Sequence, residues 1–168
     1  MNGDMVIRNF SEDKIPVEVY IEGITRGSGQ LSVGLLCEED GFKMPYATMT
    51  KDMGIETNPA ACFIDTNNVP EAESFLVKYD LAYPTGHRAE SGFCSYPLYQ
   101  FDIDKLSELS GTDVKAFLKL SEEEVSSCRE LTEKYRNSSM TKFMKLVDSA
   151  TESFENGSDS SFDDDLSV

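Results

Sequence analysis

The chain has 168 residues, with fifteen Lys and Arg against thirty-one Asp and Glu, a formal net charge of −16. Its 39% apolar residues, including ten Phe and seven Tyr, suffice for one globular core. No apolar run approaches the ~20 residues of a membrane-spanning helix, and the charge argues against direct nucleic-acid binding because like charges repel.

The N-terminal stretch has no basic segment followed by an apolar core, so a cytoplasmic protein is the expectation. Cys37, Cys62, Cys94 and Cys128 are scattered, form no CxxC pair and read as buried thiols. Residues 1–100 carry fifteen acids and seven bases, net −8, and residues 101–168 carry sixteen and eight, again −8. Residues 148–168 hold seven acids and no base.

Alternation at Val17, Val19 and Ile21 predicts a strand over Ile15–Glu22. Gly23 to Gly29 reads as a turn, and Gln30–Cys37 as a second strand with Leu31, Val33 and Leu35 on one face. Glu38-Glu39-Asp40-Gly41 is an acidic turn. Phe42–Thr50 is a third strand, where Pro45 implies an edge position or a bulge. Ala60–Ile64 is a short fourth strand, and the short turns make the set an antiparallel meander.

Asn68 is placed as a helix N-cap, with Glu71 as its capping-box partner and Pro70 in the first turn. That helix runs to Tyr79 and buries Ala72, Phe75, Leu76 and Tyr79. Pro84-Thr85-Gly86 starts a loop that continues to Gly92, and Phe93–Phe101 is a strand. Asp102 caps a helix through Leu109, and another helical turn ends at Leu120. Ser121 and Glu124 form a capping box for a helix whose face carries Val125, Cys128, Leu131 and Tyr135. Asn137-Ser138-Ser139 weakens it. A further amphipathic stretch holds Met140, Phe143, Met144, Val147 and Ala150, which reads as a core face. Residues 155–168 are rich in Ser and acids and are expected to be disordered.

The expected fold is α+β: an antiparallel four- to five-stranded sheet packed by one helix, then a helical segment and an acidic tail. The expected boundaries are 1–106, 107–154 and 155–168.

Few residues carry chemistry. His87 is the only histidine, seven residues from Cys94, and a Cys–His pair would need a thiol with a lowered pKa beside the base. A loop histidine without that geometry reads as a surface residue. Asp65-Thr66-Asn67-Asn68 begins like a calcium loop, but Val69 and Leu76 stand where ligands should be, so it reads as a turn and cap. Gly23, Gly27 and Gly29 lie between two strands, which makes a hairpin rather than a phosphate loop. No catalytic residue, metal site or cofactor is expected.

The segments PYATMT (Pro45–Thr50), FIDTNNVPEAESFL (Phe63–Leu76), PTG (Pro84–Gly86) and SGFCSYPLYQFD (Ser91–Asp102) carry a resemblance. Over Val17 to Leu106 the chain resembles an uncharacterised domain-of-unknown-function family of small bacterial proteins from gut Firmicutes and their mobile elements. A type II-A anti-CRISPR protein, an inhibitor of the nuclease Cas9, is similar to this family in its sheet domain. The resemblance implies a basic target, since Cas9 holds nucleic acid in positively charged channels.

Sixteen charges match those of roughly eight base pairs of duplex DNA. The expected function is therefore a non-enzymatic inhibitor from a mobile element or phage. It would bind the basic nucleic-acid-binding surface of a Cas9-type nuclease, or of its guide complex, by partial DNA mimicry. The candidate contacts are acids at turns and helix starts: Glu38, Glu39, Asp40, Asp102, Asp104, Glu122, Glu123 and Glu124. The alternative is an accessory protein-binding module of a conjugative or phage element, whose acidity serves solubility.

Overall fold

The computed structural model describes residues 5–166 except 12 and 26–28, and side chains from 154 onward fall outside the described residues. In chain order the elements are β1 (Val6–Arg8), β2 (Lys14–Pro16), β3 (Glu18–Ile24), β4 (Leu31–Glu39), β5 (Phe42–Thr48), β6 (Thr50–Lys51) and β7 (Ala61–Ile64). Then come α1 (Ala72–Lys78), β8 (Ala82–Ser91), β9 (Cys94–Phe101), α2 (Ile103–Ser110), α3 (Val114–Phe117), α4 (Glu122–Arg136) and α5 (Ser139–Leu166). The architecture is α+β and antiparallel throughout the described strands, with helices following the last strand. The strands divide among three sheets: β1-β2, β3-β4-β5 and β6-β7-β9-β8.

Met49, between β5 and β6, joins the two larger sheets. Its N–H donates to Val33 O at 2.9 Å, and its carbonyl accepts from Asp65 N at 2.7 Å. Val19, Leu31, Val33 and Leu35 line the inner face of the first sheet, and Ile64, Tyr99 and Phe101 that of the second. Phe75 and Leu76 of α1, Ile103 and Leu106 of α2 and Cys128 of α4 close the same core. Each such side chain contributes roughly 1.5–3 kcal/mol by leaving water.

Several expectations change. The strand expected over Ile15–Glu22 is two strands in different sheets, because Val17 turns its N–H to Met5 O at 3.0 Å. Asn68 does not cap α1, whose N-cap is Glu71 without a side-chain cap bond. Asp65 instead captures Asn68, accepting from its backbone N at 3.2 Å and its Nδ2 at 2.8 Å, so the turn closes before the helix starts. The loop expected from Pro84 to Gly92 is the strand β8. A bulge between Pro84 and Arg88 absorbs the irregular residues, and Thr85 Oγ1 donates across it to Leu98 O at 2.9 Å. Cys62 and Cys128 are buried, but Cys37 and Cys94 are only half-buried, and all four are free thiols.

The C-terminal helices keep to the sequence pattern with one exception. Asp102 caps α2, and the Ser121–Glu124 capping box opens α4. In α5 it is Met144 that packs on the core, while Phe143 and Leu146 are 66% and 71% exposed. Residues 155–166 of the expected tail carry the end of α5 in the backbone, and their side chains lie outside the described residues.

On the outer face of β3-β4-β5, the Glu22 carboxylate accepts from Tyr20 OH at 2.8 Å, Ser32 Oγ at 2.8 Å and Thr48 Oγ1 at 2.9 Å. Gly34 lies beneath: a Cβ there would stand 2.6 Å from the Tyr20 ring and 2.8 Å from Glu22. Gly34→Ala should therefore cost about 1–3 kcal/mol by overpacking, read as a lower midpoint in urea.

Candidate functional site

Three of the eight candidate acids are engaged by the fold itself. Asp102 accepts from Asp104 N and Lys105 N at the start of α2 and pairs with Arg136 at 2.8 Å, leaving its side chain 14% exposed. Both Asp104 oxygens accept from Arg129 at 3.0 Å, and that guanidinium holds its carboxyl below the usual range. Glu124 Oε1 accepts from Ser121 N at 3.0 Å in the capping box. Glu122 and Glu123 stand exposed beside it in the first turn of α4. The structure thus gathers Asp102 and Asp104 with two arginines of α4, where they fasten helices together.

Glu38, Glu39 and Asp40 belong to a different element, the β4–β5 hairpin. Glu39 pairs with Phe42, so the connection is the two residues Asp40 and Gly41. Their φ values of +54° and +83° are those of a type I′ turn, which matches strand twist and fixes the register. All three carboxylates are exposed and have no hydrogen bond or ion pair with the described residues. Phe42 beside them is 75% exposed.

Pro45 occupies both positions the sequence allowed it. β5 is an edge strand, and its register shifts there: Leu35 pairs with Ala47 and Leu36 with Pro45, so Tyr46 is an extra residue. The bulge puts Tyr46 and Ala47 on the same side. Alternation places Met44 and Phe42 on that side as well, further along the hairpin.

Below this face lies a cleft of about 390 Å³, formed by the end of β1, Tyr46 and Ala47 of β5, and the Asn68–Glu71 turn. Ile7, Phe10, Tyr46, Val69 and Pro70 give it apolar walls. Each wall is held from behind. Tyr79 OH accepts from Val6 N at 3.0 Å and fixes β1. Asn9 Oδ1 accepts from Ser11 N at 2.8 Å and Asp13 N at 3.0 Å and fixes the following loop. Asp65 fixes the turn on the other side. Burial, helped by the neighbouring Cys37, pushes the Tyr46 phenol up. The Glu71 carboxylate lines the cleft with no hydrogen bond or ion pair to the described residues, whereas Arg8 is engaged within the chain.

Tyr46, Asn68 and Pro70 fall within the segments that carry the family resemblance, but nothing in the sequence brings them together. Ile7 and Phe10 gave no signal, because a three-residue strand shows no period. His87 sits in the β8 bulge and is exposed. Cys94 is opposite Ser91 at the hairpin end, three pairs along the ladder from Arg88 and so roughly 10 Å away. The two side chains are not joined as a nucleophilic pair. Asp65 spends its carboxylate on Asn68, and among the described residues no group of three or more His, Cys, Asp or Glu could hold a metal ion.

A family model described as "Domain of unknown function (DUF4313)" matches residues 20–120. The match starts in β3, includes the acidic hairpin and two of the cleft's three sides, β5 and the Asn68–Glu71 turn, and ends after α3. It overlaps the Val17–Leu106 segment of the resemblance, starting slightly later and running past Leu106 through α3. No curated protein and no solved structure matches the chain.

Proposed function

Since the chain belongs to the domain-of-unknown-function family DUF4313, which names no activity, we propose that it is a non-enzymatic binding protein that meets a basic surface through its β4–β5 hairpin. The observation that carries this is the trio Glu38, Glu39 and Asp40. They are unpaired within the described chain and stand on a rigid turn beside an exposed phenyl ring. Acids that meet a cationic partner must not already be neutralised, and an aromatic anchor surrounded by polar groups is the usual anatomy of a binding hot spot. The excess charge of −16 would steer the encounter.

The partner class this favours is a nucleic-acid-binding protein of the cytoplasm. The resemblance to anti-CRISPR proteins names the Cas9-type nuclease, with the chain carried by a mobile element or phage and acting as a partial DNA mimic. At the start of α2, the pairing of Asp102 and Asp104 with arginines favours the second reading, in which acidity there serves the fold and solubility.

The test is a titration of the candidate nuclease with E38K/E39K/D40K and, separately, with E122K/E123K, each at two salt concentrations. The hairpin variant should bind at least roughly tenfold more weakly and lose most of its salt dependence, as expected for three rim charges. The α4 variant should change little. Unchanged affinity in the hairpin variant removes the proposal. Neither variant breaks an intrachain hydrogen bond or ion pair, but Lys suits the left-handed φ of position 40 less well than Asp, and E122K/E123K sets cations at the positive end of α4, so both should melt slightly lower while staying folded.

A further inference from the structure

We infer that the cleft beneath β5 docks an extended basic segment of a partner protein, which inserts one bulky apolar or aromatic side chain. This rests on reading the chain as a binding protein. The cleft's 390 Å³ suits a single large side chain with part of its backbone. Its walls are aromatic and aliphatic, and one of them, Phe10, is 81% exposed, more than a covered core residue allows. Phe42 and Met44 extend the same face up the hairpin.

Charge selects the occupant. The Glu71 carboxylate lines the cleft without a partner, and the Glu39 carboxylate lies on the Phe42 and Met44 side of the hairpin above it, also without one. Arg8, the cation on the lining, is already engaged. A segment with Lys or Arg beside its apolar residue meets two unneutralised carboxylates, whereas an acidic segment meets repulsion. Strand addition is not the mode, because Pro45 in the middle of β5 lacks the N–H that a pairing backbone needs. Recognition falls to the side chains.

The experiment uses the full ¹⁵N-labelled chain and two probes, acetyl-Lys-Trp-Lys-amide and acetyl-Glu-Trp-Glu-amide. The basic probe should give saturable amide shifts at Asn9, Tyr46, Ala47, Val69 and Glu71, with a Kd of about 1 mM. The acidic probe should bind at least roughly fivefold more weakly. Glu71→Gln should narrow that preference, and Phe10→Ser should weaken both probes. Neither substitution touches a buried side chain, so both variants should keep the wild-type melting temperature. Shifts centred on Phe143 and Leu146 of α5 would overturn the inference. So would equal binding of the two probes, an absence of saturation, or cleft shifts that appear only on concentrating the protein alone and so indicate a second copy. If the hairpin variant loses the nuclease while the cleft ignores both probes, the cleft inference fails and the proposed function stands. If the cleft prefers the basic probe while the hairpin variant binds normally, the nuclease reading fails instead.

Discussion

Tyr83→Ala should destabilise the chain by about 4 kcal/mol and Tyr83→Phe by about 1 kcal/mol, measured by urea unfolding followed by far-UV circular dichroism. The Tyr83 ring is fully buried in β8, so truncation leaves an aromatic-sized void. Its hydroxyl is also a junction. It donates to Asp80 Oδ1 at 2.8 Å and accepts from Arg136 Nε at 3.2 Å, and burial pushes the phenol up to about 12. Arg136 and Lys145 lie 5.4 Å and 5.9 Å from the ring centroid, so α4 and α5 both reach the sheet at this residue. Phe keeps the ring and loses only the hydroxyl. Asp80 retains Lys145, and Arg136 retains Asp102 and Glu133, which is why the smaller change costs less. Equal losses in the two variants would mean that the polar junction, not the ring, holds the helices.

Local rules read well where local chemistry decides. The Ser121–Glu124 box and the Asp102 cap needed only residues three apart, and the structure has both. The same rule failed at Asn68, where a better acceptor, Asp65, lay three residues upstream and drew the amide into a turn. β8 was illegible because Pro84 and Gly86 break a strand pattern on their own, yet β9 supplies a complete partner and the bulge takes up the misfit. That is a tertiary decision, absent from any window of sequence. α5 shows the converse: its apolar period is real, but only one side of it meets the core.

The site divides in the same way. The hairpin acids were visible because a turn between two alternating strands must expose its charges. The pairing of Asp102 and Asp104 was not, since Arg129 and Arg136 come from a helix more than twenty residues on. The cleft was invisible because its walls come from segments separated by about sixty residues, and one of them, β1, is too short to announce itself.

The charge that dominates the sequence also sets how stability should vary with pH, and two opposed effects fix the sign. Burial raises the Asp148 carboxyl, against the pull of Lys78 and with Glu152 adding to it, so its ionised form is penalised in the folded chain. Protonating it as pH falls from 7 therefore adds stability, and the gain is complete below the unfolded value of 3.8. Lowering the pH also relieves the repulsion of a −16 surface. Asp104, Asp80 and Glu152 act in the other direction. Arg129 holds Asp104 down. At Asp80 burial pushes up, but Lys145 and Tyr83 together win and bring it below its usual value. Lys78 lowers Glu152. Their contributions are present above the unfolded values of 3.8 and 4.5 and are lost as pH falls through the depressed folded ones. The melting temperature should therefore rise by about 2–4 °C from pH 7 to about pH 5 and drop steeply below about pH 3.5. Asp148→Asn should melt higher at pH 7 and flatten the rise, and added salt at pH 7 should reproduce part of it by screening. Asp104→Asn should flatten the acid limb instead. A melting temperature that falls steadily from pH 7 to pH 5 would show that the surface charge is too dispersed to strain the fold, and would weaken the case that its acids are held close together anywhere but at the hairpin.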